Sequence, residues 1–178
     1  MTWTCYNSRM KELAVINPEG VSETEVATYK TREAARAVVV DSEGKIALLH
    51  VTNEQYYKLP GGGIDAGEDI PTALARECRE EIGCDVEVIG EVGSIVEYRK
   101  IFTLKQTSYC YVAKVIGEKG APDFTEEELA KGFEIVWLPY DKAFRAVSES
   151  NATSVEGRDY ITPRDTLFLQ TAQDNIQG

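Results

Sequence analysis

The stretch from Leu59 to Cys84, LPGGGIDAGEDIPTALARECREEIGC, decides the reading of this chain. Gly61, Gly62 and Gly63 build a loop that turns tightly and lets backbone approach a ligand closely. Asp69 is a helix N-cap, Pro71 is tolerated in the first turn, and Gly83 stands where a left-handed C′ residue belongs. These signals predict a helix over about 70–82. At about 100° per residue, Ile70, Leu74, Cys78 and Ile82 form its apolar stripe. Glu77 and Glu81 share one face, one turn apart, at the edge of that stripe. Glu80 lies further round and Arg79 on the far side.

Two neighbouring carboxylates drawn towards a core boundary repel each other and tend to take up protons. A bound divalent cation removes both problems, and carboxylate oxygen with water suits Mg²⁺ or Mn²⁺. Arg76 is placed to pair with Glu68 or Glu80 and so to hold the acidic array. A helix with alternating acid and base is commonly a solvated face laced with i,i+4 pairs. The adjoining glycine run and Glu68 set this one apart.

Outward from that stretch, the β-rich runs 33–40 and 45–51 flank the turn Asp41-Ser42-Glu43-Gly44 and predict a hairpin. A short run from Tyr56 delivers the chain to Pro60. Beyond Gly83, CDVEVIGEVGSIVEY and FTLKQTSYCYVAKVI read as strands. Residues 117–132 read as a polar loop carrying Glu126, Glu127 and Glu128. FEIVWLP reads as a strand. DKAFRAVSE and the segment from Thr162 to about Gln173 read as helices, the second capped by Thr162. The first 30 residues are weakly patterned. The order predicts an α/β fold, a mixed sheet covered by helices.

The 178 residues suffice for one domain with a real core, and the net charge of −11 argues against duplex nucleic acid as the main partner. No run of about 18 apolar residues predicts a membrane span, and the opening MTWTCYNSRMKELAV lacks the apolar centre of a secretory signal. A cytoplasmic protein is the expectation. Cys5, Cys78, Cys84 and Cys110 form no CxxC pair and there is one histidine, His50. A Cys/His zinc site is therefore not expected, and reduced, buried cysteines are. His50 follows two leucines on a strand and reads as a packed or edge residue. Tyr56, Tyr57, Tyr98, Tyr109 and Tyr111 read as core or cross-strand pairs before base-stacking groups.

Counted from Gly62, the spacing is G, five residues, Glu68, seven residues, then Arg76-Glu77-Cys78-Arg79-Glu80-Glu81-Ile82-Gly83-Cys84. This resembles the complete Nudix hydrolase signature GX5EX7REUXEEXGU, with U bulky and apolar. Cys78 and Cys84 fill the two U positions, where Leu, Ile or Val is usual. The resemblance covers about residues 32–148, with residues 1–31 an N-terminal extension of the same fold and 149–178 a C-terminal helical segment. It implies an α/β/α sandwich with a loop-helix-loop catalytic motif and Mg²⁺-dependent hydrolysis of a nucleoside diphosphate linked to another moiety. It also implies that Glu77, Glu80 and Glu81 hold metal, with a backbone carbonyl from Gly62 or a neighbour, and that Arg76 and Glu68 are an orienting pair. A glutamate in a later loop serves several members as general base, which makes Glu126, Glu127 and Glu128 candidates, with Glu127 at their centre.

The substrate partner expected is a small nucleoside diphosphate derivative: a nucleotide sugar, an ADP-ribose-like molecule or a nucleoside triphosphate. A homodimer is left open. No proline stands near Lys100, where the ADP-ribose subgroup carries one. A sensor on the same fold, binding nucleotide without hydrolysis, is the competing class, and metal-dependent phosphate or monophosphate release separates the two. A prenyl diphosphate isomerase lacks its cysteine-and-glutamate pair here.

Overall fold

The structure is a computed structural model that describes residues 10–176. Its strands are β1 (Glu12–Ile16), β2 (Lys30–Val40), β3 (Lys45–Val51), β4 (Tyr56–Lys58), β5 (Gly61–Gly63), β6 (Asp85–Arg99), β7 (Leu104–Ile116) and β8 (Phe133–Pro139). The helices are α1 (Glu23–Val26), α2 (Ile70–Ile82), α3 (Glu126–Ala130), α4 (Tyr140–Ser148) and α5 (Thr162–Ile176).

β2 organises the sheet. Along one edge it runs parallel to β7, from Lys30 opposite Leu104 to Val40 opposite Lys114. β7 pairs antiparallel with β6, and β6 pairs parallel with β1. On its other edge β2 meets β5, with Ala34, Ala35 and Arg36 opposite Gly63, Gly62 and Gly61. The hairpin expected over 33–40 and 45–51 is present but short. The turn is present, with the Asp41 carboxylate accepting from the amides of Glu43 and Lys45. The ladder beyond it is a single pair, Val40 with Ile46. β5 takes up the edge of β2 that a hairpin partner would use, and β3 pairs instead with β4 and β8.

Alternation along β2 builds two cores. Ala35, Ala37 and Val39 face α2, where Leu74, Cys78 and Ile82 form the buried stripe. Val38 and Val40 face the other way, onto Ala143 and Val147 of α4 and Phe168, Leu169 and Ala172 of α5. The result is an α/β/α sandwich. Each large apolar side chain buried this way stabilises the fold by about 1.5–3 kcal/mol.

α2 spans the expected residues. Asp69 caps it by accepting from the Thr72 amide, and Gly83 closes it at φ 64°. Three local expectations need correction. Residues 117–132 are not all loop: Thr125 and Glu128 form a capping box that starts the short helix α3. Thr162 is not an N-cap, because a π-helical turn over Gly157–Ile161 runs straight into α5 and leaves the Thr162 hydroxyl buried without a partner among the described residues. The weakly patterned start holds β1 and α1, with Val21 and Val26 packed against Val96 and Tyr98. Cys78, Cys84 and Cys110 are free and buried; Cys5 lies outside the described residues. No helix among the described residues is long and apolar enough to cross a membrane.

Candidate active site

Arg76 is the hub of the acidic array. Its Nε and Nη2 donate to both oxygens of Glu68, at 3.0 and 2.9 Å. Nη1 donates to Glu77 at 2.8 Å and to Glu80 at 3.2 Å, and Nη2 also reaches the Gly63 carbonyl at 3.0 Å. The sequence left Glu68 and Glu80 as alternatives; the guanidinium fork engages both, with Glu77 as a third. These bonds hold the Glu68 carboxyl below its ordinary range, and they raise Arg76. Glu80 is the most exposed of the three.

Glu81 is only 2% exposed. Its carboxylate accepts from the Gly61 amide at 2.6 Å and from Lys58 Nζ at 2.9 Å. Burial pushes its carboxyl above the usual range, against the pull of Lys58 and the Gly61 amide. The glycines explain how the helix comes so close. Gly61 adopts φ +126° with its α-carbon against the Ala35 and Arg36 backbone, where a side chain has no room. A Cβ on Gly62 would stand 2.6 Å from the Glu77 carboxyl carbon. The loop and the helix thus meet at Glu77 and Glu81.

Both glutamates line a cleft of about 430 Å³, together with Thr125, Glu127 and Glu128 at α3 and several cationic residues. Glu126 is not part of that lining. Glu127 is exposed and pairs with Lys131 at 2.9 Å, which holds its carboxyl below the ordinary range. Glu128 is committed to the capping box of α3. His50 stacks on Tyr57, with ring centroids 4.2 Å apart. Tyr56 lines the cleft and is buried.

Among the described residues, no three Asp, Glu, His or Cys side chains converge as a ready-made metal cage. What the site offers is a pair of desolvated carboxylates, Glu77 and Glu81, next to glycine backbone. Mg²⁺ is bound in just this way in phosphate enzymes, by one or two carboxylates with water and substrate phosphate completing its shell. Lys58 pairs with Glu81 at 2.9 Å and Arg76 with Glu77 at 2.8 Å.

A NUDIX domain model matches residues 30–159. The chain belongs to the Nudix family. Over 134 residues it is 32% identical to the 8-oxo-(d)GTP phosphatase of Mycolicibacterium smegmatis, covering 75% of this chain and 39% of that protein. Over 100 residues it is 30% identical to the RNA pyrophosphohydrolase of a Sulfurovum species, covering 52% of this chain and 64% of that one. It therefore spans less than two thirds of either relative. Among solved structures, a Nudix hydrolase from Nitrosomonas europaea aligns over 82% of this chain and 90% of its own, with TM-score 0.61 and 15% identity. The E. coli ORF135 protein aligns over 83% and 92%, with TM-score 0.57 and 20% identity. These likenesses are likenesses of fold.

Sequence reasoning missed several cleft residues, and two of them, Arg164 and Asp165, lie beyond the Nudix match. Arg164 and Asp165 open α5, and both are fully buried. Asp165 accepts from the Leu59 amide at 2.8 Å, which ties α5 to the start of the glycine run. Glu97 on β6 is buried as well and accepts from Arg99, Gln106 and Ser108. Arg32, Arg36, Lys58, Arg99, Lys131 and Arg164 bring positive charge into the same cleft. No linear spacing joins them; the one available signal was Arg36, a basic residue inside a strand otherwise built for burial.

Proposed function

We propose that this protein is a Mg²⁺-dependent hydrolase that cleaves the phosphoanhydride linkage of a nucleoside diphosphate joined to another moiety, with Mn²⁺ an alternative ion. The observation that carries the reading is the pair of desolvated carboxylates, Glu77 and Glu81, held against the glycine run in a cleft otherwise rich in cations. A phosphate-rich ligand suits that charge pattern, and the names of the two relatives, a nucleotide phosphatase and an RNA pyrophosphohydrolase, favour the same bond class.

In this proposal Glu77, Glu80 and Glu81, with the Gly62 backbone carbonyl, hold the metal. A divalent ion there supplies charge neutralisation for the diphosphate and acidifies bound water. Arg76 and Glu68 orient the set, since one guanidinium bonds Glu68, Glu77 and Glu80 together. Glu127 takes the proton from the attacking water as its oxygen bonds to phosphorus. The phosphorus–oxygen bond of the anhydride breaks, and the leaving phosphate departs with its electron pair. Lys131 keeps Glu127 ionised for that role.

The test is a panel of nucleoside triphosphates, nucleotide sugars, ADP-ribose and dinucleoside polyphosphates, incubated with purified protein with and without Mg²⁺. Metal-dependent release of phosphate or monophosphate from any of them supports the reading. Nucleotide binding with no turnover of any panel member points to a sensor instead.

A further inference from the structure

Three arginines in the cleft have no part in the hydrolytic roles above. Arg36 is 6% exposed, Arg99 2% and Arg164 0%, and all three line the cleft that Glu77 and Glu81 line. Arg99 is paired with Glu97 and Glu156, and Arg164 with Asp165. Arg36 differs. It makes no ion pair among the described residues, and its guanidinium donates to the Gly61 carbonyl. A buried charge is ordinarily paired. Four guanidinium nitrogens are buried with no hydrogen-bond acceptor among the described residues: Nε of Arg36, Nε of Arg99 and both Nη atoms of Arg164. Glu97 stands 3.5 Å from one of the last two, a charge contact only. Burial and the neighbouring Arg164 together bring the Arg36 guanidinium down to about 10, the mark of a cation short of a counter-charge.

Such a wall of donors sorts ligands. The oxygens of a phosphate match the planar guanidinium fork and neutralise its charge. A sugar hydroxyl brings no charge. The apolar lining is limited to Tyr56, Phe133 and Ile161, so the cleft offers phosphate contacts more than a platform for a base. We propose that Arg36, Arg99 and Arg164 form an anion subsite that takes the terminal phosphate of a nucleoside triphosphate. The substrate class rests on the hydrolase reading; the anion subsite stands without it.

Calorimetry with inorganic tripolyphosphate in EDTA isolates the subsite from metal and from turnover. The wild-type protein binds, and Arg36→Gln weakens binding about tenfold or more, the scale of a lost charged hydrogen bond. Arg36 leaves no carboxylate orphaned when replaced, and Gln can still donate to Gly61. Arg36→Lys keeps the charge without the fork and falls between the two, and it serves also if the Gln variant does not fold. No wild-type binding, or binding by Arg36→Gln within twofold of wild type, overturns the subsite. With Mg²⁺, kcat/KM favours triphosphates over the matching nucleoside diphosphate sugars, and Arg36→Gln lowers the first about tenfold more than the second. Equal loss on both, or a preference for the sugars, overturns the assignment to a terminal phosphate. Arg36-dependent tripolyphosphate binding without hydrolysis of any nucleotide leaves the subsite standing and removes the hydrolase reading. Hydrolysis of nucleotide sugars without that binding does the reverse.

Discussion

Replacing Gly62 with Ala tests the site without changing a single charge. Gly62 lies in a strand pair with Ala35, a conformation that alanine adopts freely. The added Cβ would stand 2.6 Å from the Glu77 carboxyl carbon, where ordinary contact begins near 3.4 Å. The nearest atom is Glu77 Oε1 at 2.4 Å, so the carboxylate must retreat by about 1 Å, pulling on its 2.8 Å bond to Arg76. A misplacement of about 1 Å in a reacting constellation costs on the order of 100-fold in rate. Stability should barely change, since Gly→Ala at a compatible position gains about 0.4–1 kcal/mol from the unfolded chain. Gly61→Ala is the contrast. Its φ of +126° and the Arg36 α-carbon, 2.9 Å from the new Cβ, leave no side chain to yield. That variant should lose stability first. The assays are steady-state hydrolysis of the best panel substrate and thermal unfolding of both variants. If Gly62→Ala folds normally and keeps kcat/KM within twofold, the placement of Glu77 against the glycine run does not govern activity, and the site as drawn is wrong.

Glu77→Gln and Glu81→Gln should each lose most turnover at saturating Mg²⁺, and Glu81→Gln should also lose about 1–3 kcal/mol, because Lys58 and the Gly61 amide donate to different carboxylate oxygens and an NH2 would replace one of them; wild-type rates in both would remove the metal-site reading. Glu127→Gln should lower kcat by about 10²–10⁴-fold with a smaller effect on KM, and a change of only a few-fold in it and in the Glu126 and Glu128 variants would move the base elsewhere. Cys78→Leu and Cys84→Val should keep activity while costing at most about 1–3 kcal/mol by overpacking; lost turnover in a folded variant, seen by circular dichroism, would count against a packing role. Although burial raises the Asp41 carboxyl, bonds from Lys119 and the amides of Lys45 and Glu43 win and hold it below its ordinary 3.8. Its stabilisation is thus complete above that value and lost as pH falls through the lowered one, so acid titration of Asp41→Asn, followed by melting temperature, should show a flatter acid limb than wild type.

The local part of the site was legible because its physics is local. Asp69, Pro71 and Gly83 bound α2 through caps that act within one turn, and 3.6-residue periodicity alone put Glu77 and Glu81 on one face beside Cys78 and Ile82. The glycine run announced a close approach for the same reason. Other features were decided only when distant segments met. Arg76 could have paired with Glu68 or Glu80, and the folded loop brought both within its reach, with Glu77 added. The expected hairpin opened after Val40 because β5 claims that edge of β2, a competition no window around residue 41 contains. α3 looked like loop because its five residues carry no apolar stripe; only its capping box marks it. Least legible was the cationic wall. Arg36 lies on β2, Arg99 at the end of β6 and Arg164 in α5, and only the fold gathers them, buried, in one cleft. Charge in a sequence reveals neither solvation nor partners, and both depend on which surfaces the fold removes from water.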